Sequence, residues 1–263
     1  MRRVTSTLVI LCASAASLPA QTNDEARLTL GLAAGYIGSH VLWDVPNQPI
    51  LSSFDPPSIF HLRRSTHSDI TIGAHATYFG GPHLGLTGEF TYMGLGNQDG
   101  CSLVQDGGDP LVASVCEQLN GRTASASIVT VNGGFVYRPF SRSSVQPYVK
   151  GVAGVAFTPS STIALQSVVG FVGDTAVVVN IYDDQSWKPI RPSWTLGFGL
   201  STAPSSGYQI HVEARETWLG LGEVTDPTTQ QGFIPPSRTA YKAYFSLLIG
   251  FDVVLAKRRG RRY

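Results

Sequence analysis

The sequence predicts an all-β fold: an eight-stranded antiparallel up-and-down transmembrane β-barrel with short periplasmic turns and four long extracellular loops. Three observations predict it. Charged residues are only 14% of the chain and Gly reaches 28 of 263 residues, whereas soluble domains carry about 25% charge. Eight segments alternate apolar and polar residues with period two, the signature of a strand with unlike faces. The links between these segments alternate strictly short and long, as in barrels with small turns on one side of a membrane and large loops on the other.

The N-terminus comes first in chain order. Arg2 and Arg3 precede an apolar, small-residue stretch over 7–17, and Leu18-Pro19-Ala20 follows. This is the layout of a secretory signal peptide, with cleavage expected after Ala20. The apolar run is too short to span a bilayer as a helix. Cys12 follows Leu11 rather than a small residue, which excludes a lipoprotein signal. Residues 1–20 are therefore expected to be a signal peptide, 21–256 the barrel, and 257–263 a basic periplasmic tail. Beyond residue 20 no apolar run is long enough for a transmembrane helix.

Each strand shows its faces in sequence. The first sets Leu28, Leu30, Leu32, Ala34 and Tyr36 against Arg27, Thr29, Gly31, Ala33 and Gly35. The second sets Ile70, Ile72, Ala74, Ala76 and Tyr78 against Asp69, Thr71, Gly73, His75 and Thr77. After Gly80-Gly81-Pro82, the third sets Leu84, Leu86, Phe90 and Tyr92 against Gly85, Thr87, Glu89 and Thr91. The fourth (125–137) and fifth (145–157) carry Val131, Phe135, Val149 and Val155 opposite Asn132, Gly134, Lys150 and Gly154. The sixth and seventh place Trp194, Leu196, Phe198, Ile210 and Val212 opposite Thr195, Gly197, Glu213 and Arg215. The eighth runs from Lys242 to near Leu255, with Phe245, Leu247, Ile249, Phe251 and Val253 on one face. Apolar faces rimmed by Tyr36, Tyr78, Tyr92, Tyr137, Trp194, Tyr208 and Tyr241 suit lipid and its interfaces. Polar faces of Gly, Ser and Thr suit a narrow lumen. A soluble eight-stranded barrel would reverse these faces and carry a helix after the last strand, which this sequence does not show. Within the third long link, 163–172 and 175–182 are strand-like and are expected to form a hairpin above the barrel.

The stretch Gln146-Pro147-Tyr148-Val149-Lys150-Gly151-Val152-Ala153-Gly154-Val155, with the strand-and-turn pattern over 26–255, resembles the small outer-membrane barrels of the OmpA transmembrane domain and OmpX superfamily. The resemblance implies a porin-like cell-envelope protein in the outer membrane of a Gram-negative bacterium. It implies insertion by the outer-membrane assembly machinery, with outer-membrane lipid as partner, and a monomer. Members of that superfamily usually end on an aromatic residue that closes the last strand. Here Tyr263 lies beyond a basic tail, so Phe251 is the candidate signal. No peptidoglycan-binding domain is expected after the barrel.

Strand parity points Arg27, Lys150, Arg215 and Lys242 inward together with Asp69, Glu89, Glu213 and Asp252. Charges inside a closed lumen must pair, because desolvating an unpaired ion costs several kcal/mol. The expectation is a lumenal ionic network that plugs the barrel, with Arg27 and Asp252 paired at the closing seam. The resemblance favours the same plug. His75, His83 and His211 share the inward parity but no ligand spacing, so they are read as hydrogen-bonded lumenal histidines, with no metal site and no cofactor.

Thr66-His67-Ser68-Asp69 is the one cluster resembling the Ser and His of lipid A-editing barrels. Alternation sends His67 and Ser68 to opposite faces, so no catalytic residues are assigned. Cys101 and Cys116, the only cysteines beyond residue 20, fall in one long loop and are expected to form a disulfide. The loops are acidic overall and offer a surface for an extracellular ligand. Basic residues cluster only in the last seven positions, so no nucleic-acid interface is expected. The leading expectation is a structural or surface-interaction barrel without enzyme activity; a narrow pore or solute carrier is the alternative, and a lipid A-modifying enzyme stands third.

Overall fold

The computed structural model describes residues 24–50, 56–172, 175–185, 187–202, 207–228 and 234–259. The expected signal peptide and the last four residues lie outside these. Eight strands close a barrel in the order β1-β14-β13-β12-β9-β8-β5-β4. They are β1 (Asp24–Ile37), β4 (Asp69–Phe79), β5 (Leu84–Gly94), β8 (Ser127–Tyr137), β9 (Val145–Phe157), β12 (Ile190–Thr202), β13 (Tyr208–Val224) and β14 (Ser237–Arg259). Every neighbouring pair is antiparallel, and β1 pairs with both β4 and β14, which closes the sheet.

Burial inverts the usual globular pattern. Leu32 is 66% exposed and Ile249 65%, whereas Glu89, Lys150, Glu213 and Arg215 are all buried. An outward apolar belt with a polar interior is what a membrane-spanning barrel requires, because its outer face dissolves in hydrocarbon. Trp194 stacks on Tyr241 and Tyr208 on Phe251, so ring pairs mark the two rims of the belt.

The long links are not loose. β2 (Val41–Ile50), β3 (Ser58–Thr66), β6 (Asn97–Gln105) and β7 (Thr123–Ala124) form a four-stranded sheet. β10 (Leu165–Val172) pairs with β11 (Thr175–Tyr182), the hairpin read from sequence. Helix α1 (Pro110–Leu119) was not anticipated. Its signal was present: Val112, Val115, Cys116 and Leu119 recur at helical spacing, all four are buried, and Pro110 opens the helix where its missing N–H costs nothing. With Leu42, Trp43, Phe60, Leu62 and Tyr182 these residues build a hydrophobic core outside the barrel.

Two strand limits differ from expectation. β13 and β14 run past the belt on the extracellular side, reaching 17 and 23 residues, where about 9–11 suffice to cross. At its other end β14 does not stop near Leu255. Lys257, Arg258 and Arg259 register against Ala26, Glu25 and Asp24. β1 and β14 stay paired through this run, so the first part of the expected tail belongs to the sheet.

Candidate functional site

Two constructions stand out: a charged cluster in the lumen and a folded cap above it. In the lumen, Lys150 of β9 places Nζ 2.9 Å from Glu89 Oε2 and 2.8 Å from Glu213 Oε1. Arg215 Nη1 lies 3.9 Å from Glu89 Oε1, and Tyr148 donates its hydroxyl to Glu213 Oε2 at 2.8 Å. Alternation brings these groups together from β5, β9 and β13, because each strand offers every second side chain to the same narrow space. Four charges of balanced sign occupy the interior of the barrel.

The remaining members of the sequence-derived network lie elsewhere. Asp252 is buried, but its partners are His211 Nδ1 (3.1 Å), His75 Nε2 (3.0 Å) and Gln209 Nε2 (3.1 Å). Arg27 does not reach it. The β1–β14 register shifts on either side of Leu28, and this bulge turns Arg27 outward, where it donates to the Tyr78 hydroxyl at 2.9 Å and lies over that ring. A bulge inserts one residue and breaks parity, which no alternation count detects. Asp69 is exposed at the extracellular rim and accepts from the Ile70 N–H. Lys242 sits above the belt, where Nζ meets Glu223 Oε1 at 2.7 Å and Arg238 Nε meets Oε2 at 2.8 Å. Burial alone would raise the Glu223 pKa, but these two cations hold its carboxyl below the ordinary range.

His83 is another correction. It is exposed in the turn after β4, its Nδ1 3.1 Å from Arg138 O, and does not enter the lumen. Arg138 closes the periplasmic mouth: it stacks on Phe79 at 3.6 Å and donates to Pro82 O and Ala26 O. Nearby, Glu25 Oε1 takes Arg142 Nε at 2.8 Å.

The cap is tied together by side chains from all four long links. Arg64 of β3 donates to both Asp99 oxygens, on β6, and to Thr162 O and Ala164 O of the third link. Gln48 of β2 accepts from the Tyr182 hydroxyl at 2.8 Å and from Thr228 N at 3.0 Å, which joins the first, third and fourth links. Trp43 packs edge-on to Tyr182 and donates Nε1 to Thr162 O. A disulfide joins Cys101 of β6 to Cys116 of α1, with Cα atoms 5.3 Å apart. Nothing local in the sequence announces the pairing of Asp99, one of the loop acids, with a residue 35 positions away.

A cleft of about 520 Å³ between cap and rim is lined by Ser39, His40, Arg63, Thr66, His67 and Ser68, among others. Thr66 is spent on the His40 backbone, donating to its O and accepting from its N. Among the described residues no hydrogen bond joins the His67 ring to the Ser68 hydroxyl or to a carboxylate, so the cluster is not assembled as an acid–base pair.

The chain is similar to Neisserial surface protein A at 9% identity, covering 87% of this chain and 97% of that one with a TM-score of 0.40. It is similar to the attachment invasion locus protein Ail of Yersinia pestis, solved with the heparin analogue sucrose octasulfate, at 13% identity over 86% and 98% with a TM-score of 0.34. It is also similar to the outer membrane enzyme PagL at 12% identity over 86% and 98%, with a TM-score of 0.33. No curated protein matches the sequence. The model of the outer membrane protein beta-barrel domain matches residues 8–233, and with the closed barrel and its apolar belt this places the chain in the outer membrane as a member of that beta-barrel family.

Proposed function

We propose that this chain is a non-catalytic, non-conducting outer-membrane barrel that holds a rigid extracellular cap for surface interaction. The observation that carries the reading is the interlocking of all four long links around a buried core through Arg64, Gln48 and the Cys101–Cys116 bridge. Loops that only closed the barrel would need no core of their own, whereas a binding surface gains from pre-organisation, which removes ordering cost on association. Leu103 and Val104, at the end of β6 distant from the bilayer, are exposed apolar residues on that surface. The cluster of Glu89, Lys150, Glu213 and Arg215 supports a plugged lumen over a pore.

On this reading the chain reaches the membrane after export and cleavage after Ala20, is inserted by the assembly machinery, and works as a monomer. The test has two arms. Purified protein in planar bilayers should give no discrete conductance steps, and cells expressing it should keep an unchanged lipid A mass spectrum. Proteoliposomes carrying the protein should bind at least one class on an array of glycans and matrix proteins, and Arg64→Ala should abolish that binding. Regular conductance steps, an altered lipid A mass, or binding indifferent to Arg64→Ala would each overturn the reading.

A further inference from the structure

Below the central ion cluster the lumen holds a second polar group. We propose that His75, His211 and Asp252 form a binding site for a divalent transition-metal ion of the zinc class, set across the seam where β1 meets β14. One donor atom from each residue lies within 4.8 Å of the others. Around a tetrahedral ion with bonds near 2.1 Å, donors stand about 3.4 Å apart. His75 Nε2 lies 3.0 Å from Asp252 Oδ1 and His211 Nδ1 lies 3.1 Å from Asp252 Oδ2, and these approaches, with that upper bound, bracket the spacing. Two imidazoles and one carboxylate suit zinc-class ions and are a poor set for Mg²⁺ or Ca²⁺, which prefer oxygen.

The backbone is shaped for this group. Gly31 of β1 registers against His75 on one side and Asp252 on the other. A Cβ there would lie 2.0 Å from Asp252 Oδ1 and 2.6 Å from His75 Nε2. Gly250 registers against His211, and a Cβ there would lie 2.2 Å from its Nε2. Both glycines leave the space that the three side chains occupy.

Charge points the same way. The interior carries three carboxylates, Glu89, Glu213 and Asp252, and two permanent cations, Lys150 and Arg215. At the periplasmic mouth Glu25 pairs with Arg142, and Arg138 donates to the backbone carbonyls of Pro82 and Ala26. Among the described residues the groups within hydrogen-bond reach of Asp252 are His75, His211 and Gln209, with no Lys or Arg among them, and a buried carboxylate without a directly paired cation is costly. Asp252 Oδ1 and Gln209 Oε1 are buried acceptors with no aligned hydrogen-bond donor, and both residues line a cavity of about 50 Å³ that has room for a bound water as a further ligand.

The experiment uses the untagged full-length protein, stripped with chelator in detergent and titrated with Co²⁺ as spectroscopic probe and with Zn²⁺. One equivalent should bind, with the visible d–d absorption of a low-coordinate site, and Zn²⁺ but not Mg²⁺ should displace it and raise the unfolding temperature. His75→Gln should weaken binding more than about 100-fold, beyond the usual effect of an outer-shell change. His83→Gln, at the exposed turn, should leave it unchanged. Heat-modifiability on gels verifies that each variant is folded; if His75→Gln does not assemble, His211→Gln takes its place, and the wild-type titration decides alone if neither does. Absence of a stoichiometric site in the wild type, equal binding of Mg²⁺, or undiminished affinity in a folded ligand variant overturns the proposal.

Discussion

Arg64 and Asp99 meet inside the extracellular cap as a two-pronged ion pair, Nε to Oδ1 at 2.6 Å and Nη2 to Oδ2 at 3.1 Å, with both side chains more than nine-tenths buried. Removing one partner of such a pair leaves the other charge buried and costs about 3–5 kcal/mol. Arg64 also holds two carbonyls of the third link, so Arg64→Ala should loosen three of the four links together. The expected result is rapid proteolytic cutting of the cap in proteoliposomes while the barrel keeps its heat-modifiable gel shift. Loss of the gel shift would mean that cap and barrel fold as one unit.

The Cys101–Cys116 bridge pins α1 to β6 and closes a loop of 15 residues. In the chain-entropy account a loop of this size stabilises by roughly 3 kcal/mol. Serine at both positions should lower the cap's unfolding temperature and leave barrel assembly intact. Combined with Arg64→Ala the losses should fall short of additive, since both act on one small core and neighbouring sites couple. Differential scanning calorimetry of the single, double and triple variants measures this.

How far each feature could be read from the sequence depends on its range. Alternation is local, so the belt and the inward placement of Glu89, Lys150, Glu213, Arg215 and Asp252 were legible. Parity fails where the chain breaks it: one bulge at Leu28 sends Arg27 to Tyr78 instead of Asp252. Parity also says nothing of height, so Asp69 and Lys242, which share the inward phase, end at or above the rim. The pairing of His75 with His211, ring centroids 5.3 Å apart, depends on shear between strands far apart in sequence. Helix α1 was legible in principle, but its ten residues sit between acidic and glycine-rich stretches that read as loop.

Lys150 bridges two carboxylates at the barrel's centre. Lys150→Ala leaves Glu89 and Glu213 facing each other across space that water can enter. The expected outcome is small current steps in planar bilayers where the wild type has none, with an unfolding free energy lower by about 3–5 kcal/mol in urea titration. Lys150→Arg should restore closure in part, because the charge returns but the wider guanidinium must displace neighbours. Silent bilayers with Lys150→Ala would show that the plug does not depend on this bridge.

Glu223, above the belt, has a pKa held below the ordinary carboxylate value by Lys242 and Arg238 against the opposing effect of burial. A folded pKa below the unfolded one stabilises at neutral pH, and that contribution is lost as pH falls through the folded value. The β13–β14 extension should therefore loosen in acid, below the normal carboxylate range. Amide signals of Gly220 and Gly222 followed from neutral pH to about pH 3 should report the change. Glu223→Gln should flatten the profile, and an unaltered acid transition in that variant would assign it to another group.

The last strand gives the sharpest test of how the barrel closes. Lys257, Arg258 and Arg259 register against Ala26, Glu25 and Asp24, so the seam extends past Leu255 into the basic run. Deleting residues 257–263 removes these pairings and leaves the longer part of the seam, from Leu28↔Ala256 to Ile37↔Ser246, in place. The truncated chain should still assemble, because Phe251 and the belt remain, but with a lower heat-modification temperature and slower folding into vesicles. Replacing Arg258, Arg259, Arg261 and Arg262 by Gln in the full-length chain separates pairing from charge. If pairing or the terminal Tyr263 matters, the Gln variant stays close to wild type while the deletion does not. If both variants fail to insert, the basic charge itself is needed for assembly. If neither shows a defect, the seam is sealed by Leu28 onward and the extension of β14 adds nothing to closure.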